Sequence, residues 1–234
     1  MDDLPAEYEI VETLYENALT SPEDIADFRL EGSANISFPQ GRMRMENALD
    51  AGEGQKANFV LWCPETFPDG ISVSWEFWPV KEPGLCILFF CAAGRNGIDM
   101  FDPGLEQRVG VYDQYHHGDI DAYHISYYRR LWEEERSFHT CNLRKSYGFH
   151  LTAQGADPLP SVMDARGPYR MRLLVNQGEV LFSINDLSVL KWKDDGTTYG
   201  PILQKGRIGF RQMAPLIAEY RNLKVESVRK INVR

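Results

Sequence analysis

The run ISVSWEFWPV, residues 71–80, constrains the fold more than any other stretch of this chain. Ile71, Val73, Trp75 and Phe77 alternate with Ser72, Ser74, Glu76 and Trp78. Strand side chains point alternately to opposite faces, so the run predicts a strand with one face in a core. GLCILFFCAAG, residues 84–94, is apolar on both faces and reads as a central strand buried on both sides. From Phe28 onward, segments such as RLEGSANISF, GRMRMENAL and NFVLWCP alternate with Gly, Pro, Asn and Asp clusters. That texture predicts an all-β sandwich or barrel. One hairpin is expected with its turn near Asn176 to Glu179, and a second around Asn185 and Asp186. The best helix candidates precede the sheet: PAEYEIVETLYENAL, and SPEDIADF with its capping signal at Ser21, Pro22 and Asp24. No repeat or linker divides the chain, so residues 1–234 are read as one domain.

A common polar face is expected on three later segments. In DAYHISYYRR, residues 121–130, Ile125 and Tyr127 are assigned to the core, with His124, Ser126, Tyr128 and Arg130 facing away. In the next segment Cys141 and Leu143 face in, and Thr140, Asn142 and Arg144 face out. After that Phe149 and Leu151 go in and His150 goes out. A register slip of one residue would turn every one of these side chains over. Glu76 and Trp78 join this polar side, Arg95 its rim, and Arg211 of GRIGFRQM the substrate-contacting set. Trp62, Trp75, Trp132 and Trp192 are assigned to core or edge packing.

Charge and cysteine usage exclude several classes. The net charge is −9, from 25 basic and 34 acidic residues, which argues against non-specific nucleic-acid binding. A local arginine cluster could still bind an acidic sugar, because binding senses the local field. Cys63, Cys86, Cys91 and Cys141 lack CxxC spacing and read as free buried thiols. Cys86 and Cys91 would project to opposite faces of a continuous strand. The N-terminus lacks the order of a signal peptide and no apolar run reaches membrane-spanning length, so a cytoplasmic protein without membrane contact is expected. HHGDID, residues 116–121, has spacing that could hold a metal, but solvated acidic turns are the commoner outcome and no metal site is assigned. A structural Ca2+ ion stays open, with Asp194, Asp195, Asp2 and Asp3 as candidates.

YHISYYRR, NLRKSYGFHL with QGADPLP, and GRIGFRQM resemble the YesU-like family of bacterial domains of unknown function, over nearly the whole chain. The resemblance implies a two-sheet antiparallel concanavalin A-like jelly-roll sandwich with a concave groove. It also implies a setting in bacterial use of plant polysaccharides, pectin-type sugars in particular. It carries over no catalytic residue. The ExDxxE acid pair of retaining jelly-roll glucanases is absent, so their mechanism is not transferred.

Arginine forks bind carboxylates with fixed geometry, and aromatic rings stack on sugar faces. Glu76, Trp78, Arg95, Asn142, Arg144, His150 and Arg211 are therefore expected to contact an oligosaccharide. His124, Tyr128 and Arg130 hold the parts for β-elimination from a uronate: a base, an acid and a cation to neutralise the carboxylate. Tyrosine titrates near ~10 and needs cationic neighbours to ionise, here Arg130 and Arg144. Hydrolysis using Glu76 with one of Asp99, Asp113, Asp119 or Asp121 is a weaker alternative. A non-catalytic carbohydrate-binding module is the rival class, and a dimerising structural sandwich the third.

Overall fold

The computed structural model describes residues 4–231. In chain order its strands are β1 (Tyr8–Asn17), β2 (Arg29–Gly32), β3 (Ala34–Ser37), β4 (Met43–Asn47), β5 (Phe59–Trp62), β6 (Ile71–Lys81), β7 (Leu85–Gly94), β8 (Ile120–Tyr127), β9 (Thr140–Ser146), β10 (His150–Ala156), β11 (Tyr169–Asn176), β12 (Glu179–Ile184), β13 (Leu187–Lys193), β14 (Arg207–Met213) and β15 (Ile217–Lys230). One sheet runs β13-β12-β11-β6-β15-β4-β3, with β1 also paired to β15. The second runs β10-β9-β8-β7-β14-β5-β2. The fold is thus the expected all-β, two-sheet antiparallel sandwich with few short helical turns.

The core lies between the sheets. Ile71, Val73, Trp75 and Phe77 of β6 meet Leu88 and Phe90 of β7, Ile125 and Tyr127 of β8, and Phe210 of β14. The Trp75 ring lies 5.8 Å from both Tyr127 and Phe210. Each such side chain contributes about 1.5–3 kcal/mol by leaving water. β7 is buried on both faces, as its sequence requires. Its alternate residues Leu85, Ile87 and Phe89 join Trp62, Met100 and Tyr115 in a second apolar cluster on the outside of the second sheet. Residues 95–119, which connect β7 to β8, supply Met100 and Tyr115 and so roof part of that face.

Several local expectations change. The segment 5–19 holds strand β1 (Tyr8–Asn17) rather than a helix, paired with the long β15. Most of its side chains are exposed, so no apolar stripe exists to hold a helix against the sandwich, while β15 offers a continuous hydrogen-bonding edge. SPEDIADF keeps its turn: Pro22–Ile25 is a short 3-10 helix, and Asp24 Oδ2 accepts from the Ser21 amide at 3.1 Å. Cys86 and Cys91 both face the core, because Cys91 has φ +50° at an irregularity in the β7–β8 pairing that shifts the alternation. Both hairpin turns form where expected, with Asn185 and Asp186 at φ +50° and +65°. Trp62 and Trp75 are buried, and Trp192 packs on the core edge, but Trp132 is 47% exposed beside the helix α1 (Glu133–Ser137).

Candidate functional site

On the outer face of the second sheet the register lines up side chains from neighbouring strands. Arg211, Ile87, Ser126, Asn142 and Gln154 stand in one row across β14, β7, β8, β9 and β10. Phe89, His124, Arg144 and Leu151 stand in the next. The loop over this face adds Tyr112. Its approach depends on Gly110, at φ +88°, where a Cβ would sit 2.0 Å from the Asn58 carbonyl oxygen. The Tyr112 hydroxyl lies 2.8 Å from His124 Nε2. The Tyr112 ring packs edge-on to His116 at 4.7 Å and to Phe149 at 5.7 Å. The Arg144 guanidinium lies over the Phe149 ring at 3.6 Å and donates to the Phe149 carbonyl at 2.9 Å.

The cations of this cluster are only partly compensated. Arg129 pairs with Glu135, and Arg108 with Glu31. Among the described residues neither Arg144 nor Arg211 has a carboxylate within 4.0 Å; Arg211 is fully buried and donates to the Gly110 carbonyl at 2.7 Å and to Gln55 Oε1 at 3.2 Å. Burial holds the His124 imidazole well below its usual range, and Arg144, His116 and Arg211 push it further down, so it is neutral at pH 7. Burial pushes the Tyr112 phenol up to about 12, against the pull of Arg211, Arg144 and Arg129. His124 Nδ1 and Arg211 Nε are buried without a hydrogen-bond partner, an unusual state for polar atoms in a folded interior.

The polar face expected from alternation is therefore only half assembled. His124, Asn142, Arg144 and Arg211 come together on it. Tyr128 and Arg130 do not. β8 ends at Tyr127, and Tyr128 at φ +50° breaks the period, so both tyrosines turn into the core. The Tyr128 hydroxyl donates to Glu82, and its amide to Asp157 Oδ2 at 2.9 Å. Arg130 is buried beside Asp157, at 3.1 Å, and the Leu159 carbonyl, at 2.8 Å. The third segment is reversed: Leu151 pairs opposite Arg144, while His150 pairs opposite Lys145 and stacks on Tyr199 at 4.5 Å. β10 is an edge strand with a register shift and little burial, so no strong apolar face fixes its sense.

Glu76 and Trp78 alternate as expected but belong to the first sheet, whose outer face is the opposite side of the sandwich. Glu76 borders a cavity of about 670 Å³ with Arg170, Asp186 and Lys224, and Trp78 lies under Arg42 at 4.2 Å. Sheets pack ~10 Å apart, so Glu76 cannot form an acid pair with Asp99, Asp113 or Asp119, which lie in the loop over the second sheet, or with Asp121 of β8 in that sheet. Arg95 and His150 line a different cavity, of about 980 Å³, at the end of the second sheet, together with Asp121, Tyr147 and Tyr199. Tyr147 joins this cavity to the outer-face cluster: Arg95 lies over its ring at 4.3 Å, and the His117 ring meets it edge-on at 5.6 Å. The structure describes two of the four calcium candidates. Asp194 binds Lys145 at 2.6 Å, Asp195 caps the amides of Thr197 and Thr198, and Asp2 and Asp3 lie outside the described residues. Sequence reasoning missed Tyr112, Phe149 and Gln55. Only the aromatic and histidine density of VYDQYHH marked the loop, and a loop has no period to say which way a ring points.

A family model, "Domain of unknown function (DUF1961)", matches residues 12–225. The chain belongs to the DUF1961 family. It is 57% identical over 218 residues to "Uncharacterized protein YesU" of Bacillus subtilis (strain 168), covering 93% of this chain and 97% of that protein. It superposes with TM-score 0.92 and 55% identity on a B. subtilis crystal structure described as a protein of unknown function with galectin-like fold, covering 96% of this chain and 100% of the other. Two distant structures share the sandwich. The carbohydrate-binding module CBM66 from B. subtilis has TM-score 0.53 and 10% identity, over 86% of this chain and 96% of its own. The κ-carrageenase of Pseudoalteromonas carrageenovora, solved with an oligotetrasaccharide, has TM-score 0.57 and 9% identity, over 97% and 98%. At such identity these show the fold that DUF1961 shares and nothing finer.

Proposed function

We propose that the chain binds a carboxylate-bearing oligosaccharide, of the uronate type found in pectin, on the outer face of the second sheet, and cleaves it by β-elimination. The observation that carries this reading is Arg144 and Arg211, two arginines without a carboxylate partner among the described residues, beside a hydrogen-bonded tyrosine–histidine pair. A buried or half-buried cation without a counter-ion costs stability, and an anionic ligand recovers that cost on binding. Arg144 takes the place that Arg130 was expected to fill, and Tyr112 that of Tyr128.

In the reaction, the hydrogen on the carbon next to the carboxylate leaves as a proton. Its electron pair forms the new C=C bond, the glycosidic C–O bond on the adjacent carbon breaks, and the leaving oxygen takes up a proton. Tyr112 passes its own proton to His124 Nε2, accepts the substrate proton, hands it to the leaving oxygen, and recovers its proton from His124. The arginines hold the carboxylate and so acidify the neighbouring C–H.

Binding without cleavage is the second reading. It is favoured by burial, which pushes the Tyr112 phenol up to about 12 and holds the His124 imidazole well below its usual range, so passing a proton from the phenol to the imidazole is uphill. Pectin-derived oligouronates, with neutral oligosaccharides as controls, separate the two. A rise in the ultraviolet absorbance of an unsaturated uronate, lost in Tyr112→Phe with binding retained by calorimetry, supports elimination. Binding with no absorbance change supports the binding module. Equal affinity for neutral and acidic sugars overturns both.

A further inference from the structure

We propose that Asp113, His116 and His117 form a binding site for one divalent transition-metal ion of the zinc class. The three side chains belong to one turn, and the site does not depend on saccharide binding. The 3-10 turn Tyr112–Tyr115 is followed at once by the two histidines. The Asp113 carbonyl accepts from the amides of His116, at 3.2 Å, and His117, at 2.8 Å. This brings three side chains that are neighbours in sequence to one side of the turn. Their ligand atoms converge within 4.8 Å of one another.

The individual separations are close to those a tetrahedral ion needs. Asp113 Oδ1 lies 3.8 Å from His116 Nδ1 and 3.4 Å from His117 Nδ1, and the two Nδ1 atoms are 2.6 Å apart. Zinc bonds of ~2.0–2.1 Å at tetrahedral angles put neighbouring ligand atoms ~3.3 Å apart. The Asp113–His117 edge already fits, the Asp113–His116 edge has to close by ~0.5 Å, and the imidazole pair has to open by less than ~1 Å. Two imidazole nitrogens and one carboxylate oxygen suit zinc, and the nitrogen donors disfavour calcium and magnesium.

One ligand is held and one side is open, as a site that exchanges water or substrate needs. The His116 ring is gripped between Tyr112, at 4.7 Å, and Phe149, at 4.8 Å, and its carbonyl accepts from the Gly148 amide at 2.6 Å. The side chains of Asp113 and His117 are 76% and 44% exposed. Arg144 and Arg211 face His116 from β9 and β14 and oppose a bound cation, while Asp113 favours it. The ligand set differs from the HHGDID spacing considered in the sequence. Asp119 is instead bonded to the Glu106 amide at 2.7 Å, and Asp121 lines the end cavity.

The test uses the full chain without a histidine tag, titrated with Zn2+ by calorimetry and with Co2+ by visible absorption. The expected result is one ion per chain, weakened more than ~10-fold by His117→Ala and by Asp113→Ala. Both side chains are exposed, and circular dichroism checks that the variants fold. In the unaltered chain, Co2+ should broaden the imidazole proton signals of His116 and His117 while sparing those of His139 and His150. No uptake at submillimolar metal, undiminished binding in both variants, or broadening centred on other histidines would each overturn the site.

Discussion

Arg130 and Arg211 are both buried arginines, at 1% and 0% exposure, and each leaves its Nε without a partner. They differ in what faces the charge. Arg130 meets the Asp157 carboxylate and ties the end of β8 to the connection after β10. Burial pushes the Asp157 carboxyl up, while Arg130 and the amides of Leu159 and Tyr128 pull it down. Among the described residues Arg211 meets only neutral oxygens, from Gly110 and Gln55, beneath the Tyr112 ring. A buried charge with its counter-ion can be explained by the fold alone. One without a counter-ion has no such explanation, and that difference points the functional reading at the outer face of the second sheet and not at the Tyr128–Arg130 region.

The comparison can be broken most directly at its paired half. Asp157→Ala should cost about 3–5 kcal/mol of stability, read from urea unfolding midpoints, because it strands Arg130. A loss below ~1 kcal/mol would mean that Arg130 is not held by its counter-ion. Next in size, Arg144→Gln should weaken binding of an acidic oligosaccharide by about 1.5–3 kcal/mol, with little effect on a neutral one. An unchanged affinity for the acidic sugar in that variant would remove the ligand from this face. Arg211→Met should shift stability by less than ~1 kcal/mol, or raise it, since the replacement removes an uncompensated charge. A large destabilisation there would make Arg211 as structural as Arg130.

Glu179 offers a third case, a carboxylate shared among exposed cations. Burial alone would raise it, but hydrogen bonds from Lys191, Lys230 and Tyr8 bring it down to about 2. Its folded value is below its unfolded one, so its contribution is full above about 4.5 and is lost as pH falls toward about 2. The lysine side chains are more than half exposed, so water and salt screen most of that shift. Acid unfolding of Glu179→Gln should therefore differ only slightly from the parent in this window, and less so at high salt. The smallest effect is expected for Glu76→Gln, which should leave acidic-oligosaccharide affinity within ~0.5 kcal/mol. A larger change would bring the first sheet back into the site.

The alternation in the sequence holds where large buried groups enforce it along an unbroken strand. The ISVSWEFWPV and GLCILFFCAAG runs fixed β6 and β7, and Asn185–Asp186 its hairpin, because large apolar groups and positive-φ turns leave few alternatives. His124, Asn142 and Arg144 share a face for the same reason, their neighbours Ile125, Cys141 and Leu143 being locked in the core. Alternation fails where the strand is broken: at Cys91, on the irregularity in β7, at Tyr128, where β8 ends, and at His150, on a bulged edge strand.

The sequence by itself thus determined the sandwich and the polar faces of β6, β8 and β9, since these follow from local periodicity and burial, and its motifs marked the family. Only the tertiary structure decided which polar faces meet. Glu76 and His124 read alike in the sequence, yet they lie on opposite sides of the molecule because β6 and β8 enter different sheets. Tyr112 reaches His124 because Gly110 lets the loop lie against the neighbouring backbone. Strand pairing between distant segments and the path of a loop are set by the packing of the whole chain, and no short window of residues contains them.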